Sequence, residues 1–177
     1  RMVEKLAGEG IYTPSQMSLA MNKNTDPLSL KTYHIIIYAQ NAVGLKNLYK
    51  IISRSYLDYF KKVPRIPKTV LEAHREGLII GSACEAGQLY TAVLENKPWD
   101  DLLTLADFYD YLEIQPVCNN MFLVENGTVA GVETLQEINK TIIKLGDTLG
   151  KPVVATCDAH FLNYEDEIYR KVLLAGQ

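Results

Sequence analysis

Cysteine is scarce in this chain: Cys84, Cys118 and Cys157 are odd in number, widely spaced and form no CxxC pair. That excludes a disulfide framework or a structural zinc finger and favours a reducing, cytoplasmic setting. No apolar run approaches the roughly 18–20 residues of a membrane span, and the start carries no signal-peptide pattern, so no membrane role is expected. A basic excess is missing too. The 18 Lys and Arg against 21 Asp and Glu give a net charge of -3, so a broad basic face for nucleic acid is not indicated. Any grip on DNA must then lie mostly outside this segment. There is no GxGxxG, no phosphate loop, no internal repeat and no low-complexity stretch. What is present, 47% hydrophobic and 22% charged residues over 177 positions, is the balance of a globular chain long enough to bury a core. Arg1 starts inside a helical-looking stretch and Gln177 follows another, so the chain is expected to be an excised piece of a longer protein.

Residues 1–32 read as a helical linker: a helix over Met2 to Ala7, a turn at Gly8-Glu9-Gly10, a second helix opened by Pro14-Ser15, and a connector with Asn22, Asn24, Asp26 and Pro27. From residue 33 the texture changes. Short β-branched runs at 34–39, 77–83, 111–115 and 152–156 predict four strands. Between them, helical spacing predicts helices over 45–60, 69–75, 87–95, 99–109 and 132–149, with a last helix over 164–175. Gly150 is expected to stop the long helix, and residues 116–127 to be irregular. Strands alternating with helices at this spacing argue for an α/β fold of parallel βα units, closed into a barrel or wound as an open sheet.

The string with most chemistry is Thr156-Cys157-Asp158-Ala159-His160, which directly follows an apolar strand. On extended chain, residues two apart point the same way, so Asp158 and His160 can reach one point. A carboxylate and an imidazole at the C-terminal end of a strand suit a metal or catalytic site. The same pair also reads as a helix cap and a loop histidine. His34 stands at the mouth of the first strand, the wrong end for joining Asp158 in a purely parallel sheet. It fits only if that strand runs antiparallel to its neighbours or a local loop reaches over. Glu113, between Leu112 and Ile114, faces the opposite side from both and needs a partner or a metal if buried. His74 reads as solvated surface, Cys157 as a small packing residue rather than a nucleophile, and the basic segment 61–68 as a solvated loop or a phosphate contact.

Taken together, these strings resemble one family. Tyr33 to Asn41 followed by Val43-Gly44-Leu45-Lys46-Asn47-Leu48 is similar to a stretch of the PHP domains in bacterial DNA polymerase III α subunits. Val63-Pro64-Arg65-Ile66-Pro67, His74-Arg75-Glu76-Gly77-Leu78 and Ile80-Gly81-Ser82-Ala83-Cys84 resemble the PolC branch in particular. Pro152 to Thr156, then Asp158-x-His160, looks like the family's last metal-ligand motif. The likeness covers about residues 31–177.

The resemblance implies part of a distorted (β/α)7 PHP barrel, with four or so strands and helices over residues 33–177 as its C-terminal part. Residues 1–32 would be the exit from an inserted proofreading exonuclease domain. It implies His34, Asp158 and His160 as ligands of a divalent metal such as Zn or Mn; Glu113 stays a further candidate from its strand position alone. It also explains the His34 difficulty, since the family's strand at that place belongs to an antiparallel ribbon. The parent would be a DNA-directed DNA polymerase, a nucleotidyltransferase acting in replication with Mg. It would meet DNA, deoxynucleotides and replisome subunits through other domains, so no DNA-binding or catalytic residue is assigned here. The early HxH motif, a second-motif histidine and a strand-end glutamate are absent, and Pro116-Val117-Cys118 stands where related subunits carry another histidine. The fragment is therefore expected to be inactive alone and, with open sheet edges, to self-associate. Two other readings stand beside this one: a free-standing PHP phosphoesterase resembling histidinol-phosphatase, and a partner-binding scaffold with degenerate ligands.

Overall fold

The computed structural model describes residues 27–157, 159 and 161–176. The helices expected within residues 1–26 lie outside the described residues, as do Asp158 and His160. A 3-10 turn at Pro27–Ser29 leads into β1 (Ile36–Ala39), α1 (Ala42–Leu57), α2 (Lys68–Glu72) and β2 (Leu78–Gly81). Then come α3 (Gln88–Leu94), α4 (Trp99–Asp107), β3 (Leu112–Ile114), α5 (Phe122–Glu125), α6 (Val132–Leu149), β4 (Val153–Ala155) and α7 (Glu167–Ala175). This is a mixed α/β arrangement with seven helices among the described residues. All four expected strands form.

Local chemistry explains where the boundaries moved. Helix α1 starts three residues before the expected Leu45, because Asn41 stays extended and its side chain accepts the Gly44 N–H at 2.9 Å. Helix α6 spans the expected residues and stops at Gly150, whose φ of 64° is left-handed. The segment 116–127, expected to be irregular, instead holds a 3-10 turn at Val117–Asn120 and the single-turn α5. Pro116 sits just before that turn, where a missing N–H removes nothing.

Strands β3 and β4 pair in parallel, Leu112 beside Val153 and Ile114 beside Ala155. A parallel bridge between Gly81 and Tyr111 ties β2 to β3. The expectation of parallel units thus holds for β2, β3 and β4. It fails for β1, which pairs antiparallel to β2 with Ile36 opposite Gly81 and Ala39 opposite Leu78.

The core lies where α6 meets α3, α4 and β3. Leu135, Ile138, Ile142 and Leu145 form one stripe of α6 and are buried with Ile80, Leu89 and Leu112. Each such side chain contributes about 1.5–3 kcal/mol on burial. Lys151 closes the C-terminus of α4: its Nζ donates to the carbonyls of Ala106, Asp107 and Tyr109 and pairs with the Asp107 carboxylate at 3.1 Å. A cation among the last carbonyls of a helix satisfies otherwise orphaned acceptors.

Two surface expectations are corrected. The basic segment 61–68 is not a freely solvated loop, because Lys61 and Arg65 both donate to the Leu28 carbonyl, at 3.1 and 2.9 Å. Lys68 goes further, burying its Nζ 4.2 Å from the Phe108 ring centre. His74 is half-buried rather than solvated, its Nδ1 donating to the Val70 carbonyl at 2.8 Å.

Candidate metal centre

Because β1 runs against β2, its beginning lies beside the end of β2. That end is shared with the C-terminal ends of β3 and β4, which run parallel to each other and are bridged to β2. His34 is held there by its backbone, donating its N–H to the Ala86 carbonyl at 3.0 Å and bridging to Gly87. The antiparallel condition on which His34 could join this end is met.

After β2 the chain turns sharply at Ala83, whose φ of 62° is left-handed and costs an L-residue about 1–2 kcal/mol. Beyond that turn, Cys84 presents its Sγ 3.4 Å from His34 Nδ1. Burial pushes the Cys84 thiol above its ordinary range, so it is not an activated nucleophile.

Glu113 is buried on β3 and faces the same side as Tyr111, two residues earlier. Its Oε1 accepts the Tyr111 hydroxyl at 2.9 Å, and its Oε2 accepts the Thr156 hydroxyl, from just beyond β4, at 3.1 Å. The Glu113 N–H donates to Ser82 Oγ at 2.9 Å, so three strand ends meet on this one residue. Desolvation and the Glu113 carboxylate together push the Tyr111 phenol far above the usual tyrosine range, keeping it a donor. Tyr111 itself lies where a side chain on Gly81 would be, and a Cβ there would overlap its ring. Thr156 is fixed in turn by donating its N–H to the Ile114 carbonyl at 3.0 Å.

The buried carboxylate therefore has the partners its burial demands, and each oxygen keeps a second lone pair. Imidazole and carboxylate suit a borderline divalent ion such as zinc, and carboxylate oxygen also suits manganese. Among the described residues no three His, Cys, Asp or Glu side chains gather closely enough to hold an ion. Asp158 and His160 lie outside the described residues.

Cys157, expected to pack, is exposed, and its carbonyl accepts from Asn119 Nδ2 at 2.8 Å. Three contributors to this strand end do not stand out in the sequence. Cys84, Tyr111 and Thr156 carry no site role on sequence alone, although Thr156 opens the string that holds Asp158 and His160. The alternation Tyr111-x-Glu113 was the available signal for the first tyrosine contact. Thr156 needed the β3–β4 register.

The PHP domain family model matches residues 6–116. Over all 177 residues the chain is 56% identical to the PolC-type DNA polymerase III of Clostridium perfringens and covers 12% of that protein. It is 42% identical to the PolC-type DNA polymerase III of Bacillus subtilis and 38% identical to that of Staphylococcus aureus, again over its whole length and 12% of theirs. It thus spans about an eighth of the curated relatives it matches. With the family model covering more than half of its residues, the chain belongs to the PHP domain family.

Proposed function

We propose that this chain is the PHP region of a PolC-type replicative DNA polymerase III, and that it holds a divalent metal without polymerising DNA itself. The observation that carries the reading is identity at 36–56% to PolC-type polymerases across the full 177 residues. In this account residues 33–177 are the C-terminal part of a distorted (β/α)7 barrel, and residues 1–32 lead out of an inserted exonuclease domain. Polymerisation, with Mg, deoxynucleotides and DNA, belongs to other domains of the parent, as do its replisome contacts in the cytoplasm. No helix among the described residues is long and apolar enough to cross a membrane.

The ligands in this reading are His34, Asp158 and His160, with Glu113 available as a further oxygen donor. A bound ion would supply Lewis acidity toward a phosphoester, or simply a cross-link between strand ends. The protein's own contribution is to hold the donors. The backbone bond from His34 to Ala86 fixes the start of β1, and the hydroxyls of Tyr111 and Thr156 orient Glu113. Such outer partners fix ligand geometry in metal sites generally. Each two-stranded sheet also leaves edges without strand partners among the described residues, which supports self-association of the isolated chain. Sedimentation showing monomer at high concentration would contradict that part.

Primer extension by the full-length parent, beside phosphate release by the isolated chain, tests the functional reading. Extension by the parent and no turnover of phosphomonoesters by the chain are expected. Hydrolysis by the chain at enzyme rates, with no extension by the parent, would instead mark a free-standing PHP phosphoesterase.

A further inference from the structure

The overall charge of -3 conceals a strong segregation. From Pro27 to Leu57 the sequence contains no Asp or Glu, and from Pro27 to Leu71 eight Lys and Arg face only Asp58. The acidic excess is carried by the remainder. Within the basic stretch, Lys46, Lys50 and Arg54 recur every four residues along α1, with a rise of roughly 6 Å per step. They line an open groove of about 610 Å³ together with Leu45 and Tyr49, and His74 stands at its side. Arg54 is already tethered by Asp58 at 3.0 Å and lies over the Tyr59 ring. Lys46 and Lys50 are exposed and have no ion pair among the described residues.

Beside this cationic strip the same helix carries an apolar one. Leu45, Tyr49, Ile52 and Tyr56 repeat at helical spacing and stay exposed, Tyr49 at 61% and Tyr56 at 57%. The inward face is occupied separately, by Gly44, Ile51 and Ser55 against the sheet. An exposed aromatic strip is unfavourable in water unless something covers it. A row of cations next to solvent-facing rings matches a single-stranded nucleic acid, whose phosphates need counter-charge and whose unstacked bases need flat apolar surfaces. Duplex would offer phosphates to the lysines but no free base faces to Tyr49.

The geometry points to the outer face of α1 as a binding groove for single-stranded nucleic acid, with Lys46 and Lys50 on the phosphates and Tyr49 stacking a base. This inference goes beyond the metal-centre reading and does not depend on it, because neither His34 nor Glu113 is among the described residues that line the groove.

The test is fluorescence anisotropy of a labelled oligothymidylate with the 177-residue chain across 50–200 mM salt. Lys46→Glu/Lys50→Glu should weaken binding at least tenfold and flatten the log–log salt slope by about 1.4, from two phosphate contacts at ~0.7 each. Tyr49→Ala should weaken binding several-fold with the slope unchanged. Lys140→Glu/Lys144→Glu on α6 makes the same charge change elsewhere and should leave affinity within twofold. The metal-ligand variant Asp158→Ala/His160→Ala should bind like the parent chain. Circular dichroism of each variant checks that α1 still folds. The inference is overturned if the chain binds no oligonucleotide at 50 mM salt, or if the two charge-reversal variants weaken binding equally. Tighter binding of a duplex with no effect of Tyr49→Ala also overturns it. So does equal affinity for poly-glutamate in competition, which would mark a face for an acidic protein segment.

Discussion

Replacing Lys68 with methionine should stabilise the protein at neutral pH, although it removes a charge lying over an aromatic ring. The Lys68 Nζ is buried and donates no hydrogen bond, while its closest favourable contacts are the Phe108 ring at 4.2 Å and the charge of Glu72. Burial outweighs both and pulls the ammonium down from 10.5 to about 8. Between those values the unfolded chain binds a proton that the folded chain does not, so stability rises with pH across that window. Below about pH 8 both states are charged, and the folded one bears the full cost of burial. The separation corresponds to ~3 kcal/mol at ~1.4 kcal/mol per pH unit. The ring contact returns about 0.5–1 kcal/mol of that. A net gain of ~2 kcal/mol for Lys68→Met at pH 7 should raise Tm by about 4–8 °C in a domain of this size. Differential scanning calorimetry at pH 7, 9 and 10.5 should show that advantage shrinking as pH rises. A lower Tm for Lys68→Met at pH 7, or a gain that does not change with pH, would show that burial of the ammonium does not cost stability.

Four further outcomes follow from the strand-end network and from the lysine that closes α4. Glu113→Leu should destabilise by about 1–3 kcal/mol, because it removes the acceptor of the half-buried hydroxyls of Tyr111 and Thr156, whereas Glu113→Gln should cost about 1 kcal/mol or less, since the threonine hydroxyl can rotate to accept. Urea unfolding of the two variants separates them, and equal losses would mean that the hydroxyls are not held by the carboxylate. In Glu113→Gln the Tyr111 phenol should also ionise at lower pH, read from its 13C ring resonance; an unmoved titration would break the link between the two groups. Gly81→Ala should cost several kcal/mol by pushing the Tyr111 ring from its place, and a Tm within two degrees of the parent would show that the ring has room to move. Lys151→Met removes donors from the α4 carbonyls and should cost about 2–3 kcal/mol, against less than about 0.5 for exposed Lys140→Met.

The strands were legible because each is a short β-branched run between turn residues, and α6 was legible to the residue because Gly150 ends it. The start of α1 was not, since the capping role of Asn41 depends on a backbone bend that helical spacing does not report. The direction of β1 was the larger ambiguity. A run such as His34 to Ala39 has the same pattern whichever way it is paired, and only the register with β2 decides on which end His34 falls. Glu113 was legible as a buried carboxylate in need of partners, but its partners were not, because Thr156 is 43 residues away. Lys68 illustrates the opposite failure. A lysine between two prolines and a helix reads as solvent-facing, and nothing local reveals that Phe108 and Tyr109 fold over it.

His34, Asp158 and His160 are the ligands proposed for a metal in this PHP chain. Plasma emission spectrometry on the purified protein, beside Asp158→Ala/His160→Ala, tests this assignment most directly. The expected result is stoichiometric zinc or manganese that disappears in the double variant. Equal metal content in the two proteins, or none in either, would contradict it.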